Sequence, residues 1–293
     1  MKKGITKILS ACVFAFVVFL AAGTQSKAAV NMGVKQTGAG SSYVNLAWDA
    51  QLGAGHYHTQ FSQDGKNWID MDNSSSPSES VYNLTQGASY YARVVAYKDS
   101  HYMGTHVMVG VSETAIVSTE PTEVSGLTQT AAGVNSVSMS WNASAGAASY
   151  VIYGYINYNW TQIGTSATNS ATITGVAATT STKFSVAAVK NVTGGTVTGD
   201  QCSGVEMKAI PIKVSRIAMQ YYWDSLKEAK YIWTDVNNAD GYQYEVKSAN
   251  GKKAYFRATS TNSSTYVKPF PRGIFVKARV RAYVTVGNKV YYG

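Results

Sequence analysis

Apolar and polar residues alternate along most of this chain with a period of two. Val44, Leu46 and Trp48, then Val137, Met139 and Trp141, then Tyr90, Ala92, Val94 and Ala96 each share one side of an extended backbone. That is the pattern of strands buried on one face. Clusters of Gly, Asn, Asp and Ser separate the alternating stretches. Gln63-Asp64-Gly65-Lys66 and Ala249-Asn250-Gly251-Lys252 predict hairpin turns, because Asp-Gly and Asn-Gly tolerate the positive φ angles that such turns require. Gly, Ser, Thr, Ala, Val and Tyr dominate while Leu and Glu are scarce, so composition also points to sheet.

The pattern repeats at the length of a domain. Trp48, Trp141 and Trp233 lie 93 and 92 residues apart, and each is followed nine positions later by a tyrosine: Tyr57, Tyr150 and Tyr242. Gly53-Ala54, Gly146-Ala147 or Asn238-Ala239 stands between them. A second landmark keeps the same spacing, with Ala96, Ala188 and Ala282 each embedded in an alternating strand. A period near 92 residues is too long for a solenoid repeat and suits three consecutive sandwich modules.

An early Val, an apolar-x-Trp strand, a Gly-Ala turn, a Tyr-led strand, a Leu-x-x-Gly-x-x-Tyr corner and a Val-x-Ala strand together resemble fibronectin type III modules. The resemblance covers nearly all of the chain after residue 28 and implies an all-β, immunoglobulin-like fold. The first module fits best, since Leu84, Gly87 and Tyr90 match the corner. It implies that the Tyr90 hydroxyl bonds back to upstream backbone. The alanine landmark puts Thr182 and Val276 at that position in the other two modules, where no such bond is expected. The expected segments are residues 1–28, a signal peptide, then modules 29–118, 119–209 and 210–293. Ser118-Thr119-Glu120-Pro121 and Lys208-Ala209-Ile210-Pro211 form the linkers, and their prolines predict limited hinge freedom and an elongated rod. Only 11 residues follow Ala282, so the third module is expected to lack its last strand.

The amino terminus departs from the alternation. Lys2, Lys3 and Lys7 precede an apolar stretch from Ile8 to Ala22, with Ser26 and Ala28 placed for signal peptidase. Its fifteen residues fall short of the about 20 that a membrane-crossing helix needs. Cleavage after Ala28 also removes Lys27, taking the net charge from +9 to +5, and it removes Cys12. Cys202 alone remains, so no disulfide forms within the mature chain, which suits an exported Gram-positive-like protein. A secreted or surface-associated location follows as the expectation, with no membrane span in the mature chain.

Candidate chemistry is sparse. His56 and His58 flank Tyr57 on one strand face, and His101 lies in the loop between the last two strands. Three histidines are able to hold zinc or copper, but no carboxylate or cysteine completes the spacing, so the expectation is no metal and no cofactor. Asp64, Asp70 and Asp72 lie around a hairpin without the ligand spacing of a calcium loop. No Gly-x-Ser-x-Gly elbow, His-Glu-x-x-His helix, phosphate loop or paired carboxylates occur, and Cys202 has no histidine in its own module, so the chain reads as non-catalytic.

Two surfaces are candidates for binding. Tyr153, Tyr155 and Tyr158 crowd the second module beside Trp160, itself the counterpart of Trp68, and exposed aromatic rings suit stacking on sugars. Charge is uneven: residues from Ile210 onward hold 14 Lys and Arg against 5 Asp and Glu. Lys277, Arg279 and Arg281 alternate along one strand, with Lys252, Lys253, Arg257, Lys268 and Arg272 nearby. These read as a patch for an anionic cell-wall polymer, an acidic polysaccharide or another surface protein. Nucleic acid is not an expected partner of an exported chain. The leading reading is a non-catalytic binding or spacing protein at a bacterial surface. The alternative is the accessory region of a larger secreted glycan- or peptidoglycan-hydrolysing enzyme.

Overall fold

The computed structural model describes residues 29–99, 104–270 and 273–293. The signal-peptide expectation for residues 1–28, and the roles given to His101 and Arg272, lie outside the described residues.

All regular structure among the described residues is β, as the alternation predicts, and the same order of seven strands occurs three times, with an eighth strand in the first two modules. The first module runs β1 (Lys35–Ala39), β2 (Val44–Ala47), β3 (His56–Ser62), β4 (Ile69–Ser74), β5 (Ser78–Val81), β6 (Ser89–Asp99), β7 (His106–Val111) and β8 (Ala115–Ser118). One sheet has the order β1-β2-β5 and the other β4-β3-β6-β7, with β8 also on β6. The second module runs β9 (Thr128–Gly133), β10 (Ser136–Ser140), β11 (Ser149–Ile156), β12 (Asn159–Ser166), β13 (Ser170–Thr174), β14 (Thr182–Val192), β15 (Gly195–Thr198) and β16 (Val205–Met207). Its sheets are β9-β10-β13 and β12-β11-β14-β15, with β16 on β14. The third runs β17 (Ile217–Trp223), β18 (Glu228–Trp233), β19 (Gly241–Ser248), β20 (Ala254–Ser260), β21 (Ser264–Val267), β22 (Val276–Val286) and β23 (Lys289–Tyr292). Its sheets are β17-β18-β21 and β20-β19-β22-β23. Among the described residues, no strand takes the place on β22 that β8 and β16 take on β6 and β14.

Each pair of sheets closes over its own core, and the repeated tryptophan and tyrosine sit at its centre. Trp48 meets Tyr57 edge-on at 5.4 Å, Trp141 meets Tyr150 at 5.3 Å and Trp233 meets Tyr242 at 5.4 Å. The tryptophan extends the second strand of one sheet and the tyrosine belongs to the third strand, in the other sheet. The ring pair therefore ties the two layers together. Each tyrosine oxygen also accepts the backbone N–H six residues upstream, from Gln51 at 3.0 Å, Ser144 at 3.0 Å and Val236 at 2.7 Å. These amides lie in the connection between the two sheets, so one side chain anchors both the layer contact and the crossing loop. The three buried indole N–H groups have no acceptor among the described residues. An orphaned donor of that kind costs about 1–3 kcal/mol. Burial of the large ring outweighs it.

The corner expected in the first module is present: Thr85 donates its N–H to the Tyr90 hydroxyl at 3.0 Å. Neighbouring modules also touch. The tip of the β14–β15 hairpin clips onto β8, with Thr193 N–H donating to Ile116 O at 2.7 Å and Ile116 N–H donating to Thr193 Oγ1 at 2.8 Å. Lys190, which is buried, donates its amine to the Gly87 carbonyl. Lys208 pairs with Asp240 at 2.7 Å between the second and third modules. These bonds add a physical restraint to the short linkers.

Replacing Tyr150 by Phe keeps the ring and strips the Ser144 amide of its acceptor, so the second module is expected to lose about 1–3 kcal/mol. Trp141→Ala, which empties the layer contact, is expected to lose about 3–5 kcal/mol. Urea unfolding of the full chain followed by circular dichroism measures both, and an unchanged Tyr150→Phe midpoint would refute the anchoring role of the hydroxyl.

Candidate functional site

The strongest concentration of polar chemistry lies on the outer face of the β20-β19-β22-β23 sheet. Period-two geometry sends Lys277, Arg279 and Arg281 of β22 outward together, and pairing sets them opposite Lys247, Glu245 and Gln243 of β19. Arg257 of β20 stands opposite Glu245 on the other side. Glu245 is thus flanked by cations from both neighbouring strands. Arg257 donates through Nη2 to Glu245 Oε1 at 2.7 Å, Arg279 through Nε to Oε2 at 2.6 Å, and Lys247 Nζ lies 3.2 Å from Oε2. The carboxylate is 3% exposed, whereas the arginine side chains above it remain 60% and 71% exposed. Arg281 donates to Gln243 Oε1 at 2.6 Å and lies 3.4 Å from the centre of the Tyr292 ring. Gln243, Glu245, Arg257, Arg279 and Arg281 line a shallow depression between the strands.

Burial of the Glu245 carboxyl opposes its ionisation. The hydrogen bonds from Arg257, Lys247 and Arg279 outweigh burial and hold it below the usual carboxylate range. Three cations share one anion here, so the face keeps a positive surplus.

The structure gathers Arg257, Lys277, Arg279 and Arg281 on this face, and adds Lys247, Glu245 and Gln243, which sequence reasoning missed. The available signal was the position of Lys247 two residues beyond Glu245, sharing its face. Lys252 and Lys253 sit instead in the β19–β20 turn, near the end where β22 begins, and Lys253 Nζ lies over the Tyr255 ring at 5.2 Å. Lys268 faces elsewhere, 3.9 Å from Glu228 of the opposite sheet.

The aromatic group of the second module occupies the β11–β12 hairpin. Tyr155 stands opposite Trp160 with ring centres 5.3 Å apart, and Tyr153 shares their face. Trp160 lies outside the core and packs over Gly204, where a Cβ would collide with the indole. Tyr158 occupies the turn itself, 90% exposed, with φ of 65° after Asn157 at 50°. Both turn residues thus lie in the left-handed region, where glycine is the default second residue, and a tyrosine there costs on the order of 1–3 kcal/mol. A further aromatic cluster escaped the sequence reading: Trp223 stacks on Tyr266 at 6.1 Å, and Tyr221 touches both. Tyr221 and Tyr266 lie 45 residues apart, a separation that no local window joins. The hydrogen bond with Tyr266 leads the causes that push the Tyr221 hydroxyl up to about 12.

In the first module, His56 and His58 flank buried Tyr57 on the outer face, as predicted. Asp64 is a turn residue: backbone N–H groups of Asn67 and Lys66 hydrogen-bond its carboxylate and hold it well below its usual range. Asp70 accepts from Gln60 at 2.6 Å, and Asp72 from the Asn73 N–H. Cys202 is buried, with the Val186 N–H directed at its sulfur, and belongs to the core.

No protein-family model matches the chain, and no curated protein matches it. Among solved structures, the FN1–FN3 domains of chicken CNTN1 are similar over 87% of this chain and 93% of that chain, at 16% identity and a TM-score of 0.32. The strand order and the paired sheets define the class: tandem fibronectin type III-like β-sandwiches. No helix among the described residues is long and apolar enough to cross a membrane.

The downward shift of the Glu245 pKa has a definite sign for stability. Its contribution to stability is complete above the unfolded carboxyl range, near pH 4–5, and is lost as pH falls through the lower folded value. At neutral pH, Glu245→Gln is therefore expected to unfold at lower urea than the parent chain. The two midpoints should converge as pH drops below about 4. Parallel curves would show that the carboxylate contributes nothing.

Proposed function

We propose that this chain is a non-catalytic extracellular array that spaces and attaches at a bacterial surface, with the third module holding an anionic polymer on its basic sheet face. The observation that carries the reading is the set of arginines oriented by one buried carboxylate, in the module that bears the charge surplus. Each guanidinium offers five N–H donors in a rigid fork. The bonds to Glu245 use only part of that capacity, and both side chains stay largely exposed. Anchoring at the base lowers the entropy cost of binding, because the forks are already held.

Spacing favours a polymer over a single small anion. Outward residues along one strand are about 6.6–6.8 Å apart, so Lys277, Arg279 and Arg281 present a row of positive charge to a repeating anion such as a polyphosphodiester or uronic-acid chain. The remaining modules, with little net charge, set the distance between this face and whatever the aromatic hairpin of the second module meets.

Retention of the tag-free protein on purified cell wall, with and without prior removal of its anionic polymers, tests the reading. Retention is expected to fall steeply as salt rises from about 0.05 to 0.5 M. The double variant Arg279→Gln/Arg281→Gln is expected to bind about three- to tenfold more weakly. Retention that ignores salt, or that survives removal of the anionic polymers, would sink the proposal.

A further inference from the structure

Three adjacent strands of the first module bring donor groups to one spot. The sheet order places β3 beside β6 and β6 beside β7. Pairing sets His56 opposite Tyr97, and Asp99 opposite His106. Residues 56, 97, 99 and 106 therefore share the outer face, with Asp99 reaching between the two histidines. His56 Nδ1 lies 2.6 Å and His106 Nδ1 3.2 Å from the same oxygen, Asp99 Oδ1. The imidazole rings meet edge-on at 4.6 Å. One donor atom from each of the three residues lies within 4.8 Å of the others.

Two neighbours hold this arrangement. Tyr97 stacks on His56, with ring centres 5.3 Å apart and planes 10° from parallel, which fixes the ring that is 18% exposed. Gly55 leaves room for the Asp99 carboxylate, since a Cβ at that position would overlap it. His58 stands two residues along on the same face but turns toward Asp70, 4.0 Å from its Oδ2. Among the described residues, the convergent set is therefore two imidazoles and one carboxylate, which leaves one position of a tetrahedral cation for water.

We propose that His56, Asp99 and His106 bind a single divalent transition-metal cation, with zinc and copper as the fitting class. Two nitrogen donors and one carboxylate oxygen suit borderline cations, which bind imidazole at about 2.0–2.1 Å and carboxylate at about 2.0–2.2 Å. Magnesium and calcium prefer all-oxygen sets and are poorly served. The cation takes the place of the protons that now bridge the rings to Asp99, drawing the three donors around itself with water at the open position. Because the ligands come from three neighbouring strands, the ion also ties β7 to the middle of the sheet.

Equilibrium dialysis of the tag-free full chain against zinc and copper tests this. The expected result is one tight equivalent per chain, a rise in the first module's melting temperature, and no comparable uptake of magnesium or calcium. His106→Ala and Asp99→Asn are each expected to weaken binding about tenfold or more, while His58→Ala leaves it within about twofold. Because a ligand variant that fails to fold would also lose the metal, circular dichroism of each variant and the zinc-dependent imidazole NMR shifts of His56 and His106 in the parent chain provide a second readout. Absence of saturable uptake, or uptake indifferent to both ligand variants, overturns the proposal, as does equal uptake of calcium.

Discussion

The edge-on contact between a tryptophan of one sheet and a tyrosine of the other is the constraint on which each module depends. It fixes the separation of the layers through two large rings, and the same tyrosine holds the loop that carries the chain across. The ring separation is nearly the same in all three modules, from 5.3 to 5.4 Å. In the third module the hydroxyl has a further role, donating to Asp235 at 2.6 Å while it accepts from Val236. Burial chiefly, with the Asp235 hydrogen bond adding to it, pushes the pKa of this hydroxyl above the usual tyrosine value.

With the inner faces committed to this contact, the outer faces are where the modules differ. Period two means that each strand supplies one residue inward for every residue outward, so a core can stay fixed while its reverse side changes completely. The same third strand illustrates it. In β3 the outward positions are His56, His58 and Gln60, in β11 they are Ser149, Val151, Tyr153 and Tyr155, and in β19 they are Gln243, Glu245 and Lys247. One fold therefore presents an imidazole group, an aromatic group and a charged group on the outer side of the same strand, the histidines toward its start and the aromatic and charged residues further along.

What was legible in the sequence follows from range. Alternation, hairpin turns and the repeated Trp-Tyr spacing gave the strands and the sandwich, while the corner at Tyr90 followed from the resemblance to fibronectin type III modules. Partners across strands are set by register, which a spacing rule cannot read. Asp99 lies 43 residues from His56, so the carboxylate that seemed missing beside the histidines was present on the neighbouring strand. Glu245 lies 34 residues from Arg279 and was hidden for the same reason. Lys268 failed in the opposite sense: close in sequence to the basic strand, it belongs to the other sheet. Trp160 and Tyr158 were found by composition, but the strained turn that exposes Tyr158 is a property of backbone angles.

The buried carboxylate of the third module positions the cations around it in addition to any stability its ionised form contributes. Removing a carboxylate from water is costly, and a buried ion pair often gains no more than an apolar replacement would. Nor would a single partner suffice here, since Glu245 is met by Arg257, Lys247 and Arg279 from three strands. An apolar residue at that position would leave the two guanidiniums unanchored and free to sample many rotamers, each costly to order when an anion arrives. One anion beneath several cations gives the face a fixed geometry while leaving its sign unchanged. Arg281 follows the same logic with neutral partners, braced by the Gln243 oxygen on one side and the Tyr292 ring on the other. Cations so held have a fixed geometry, which is what the proposed recognition of an anion by this surface requires.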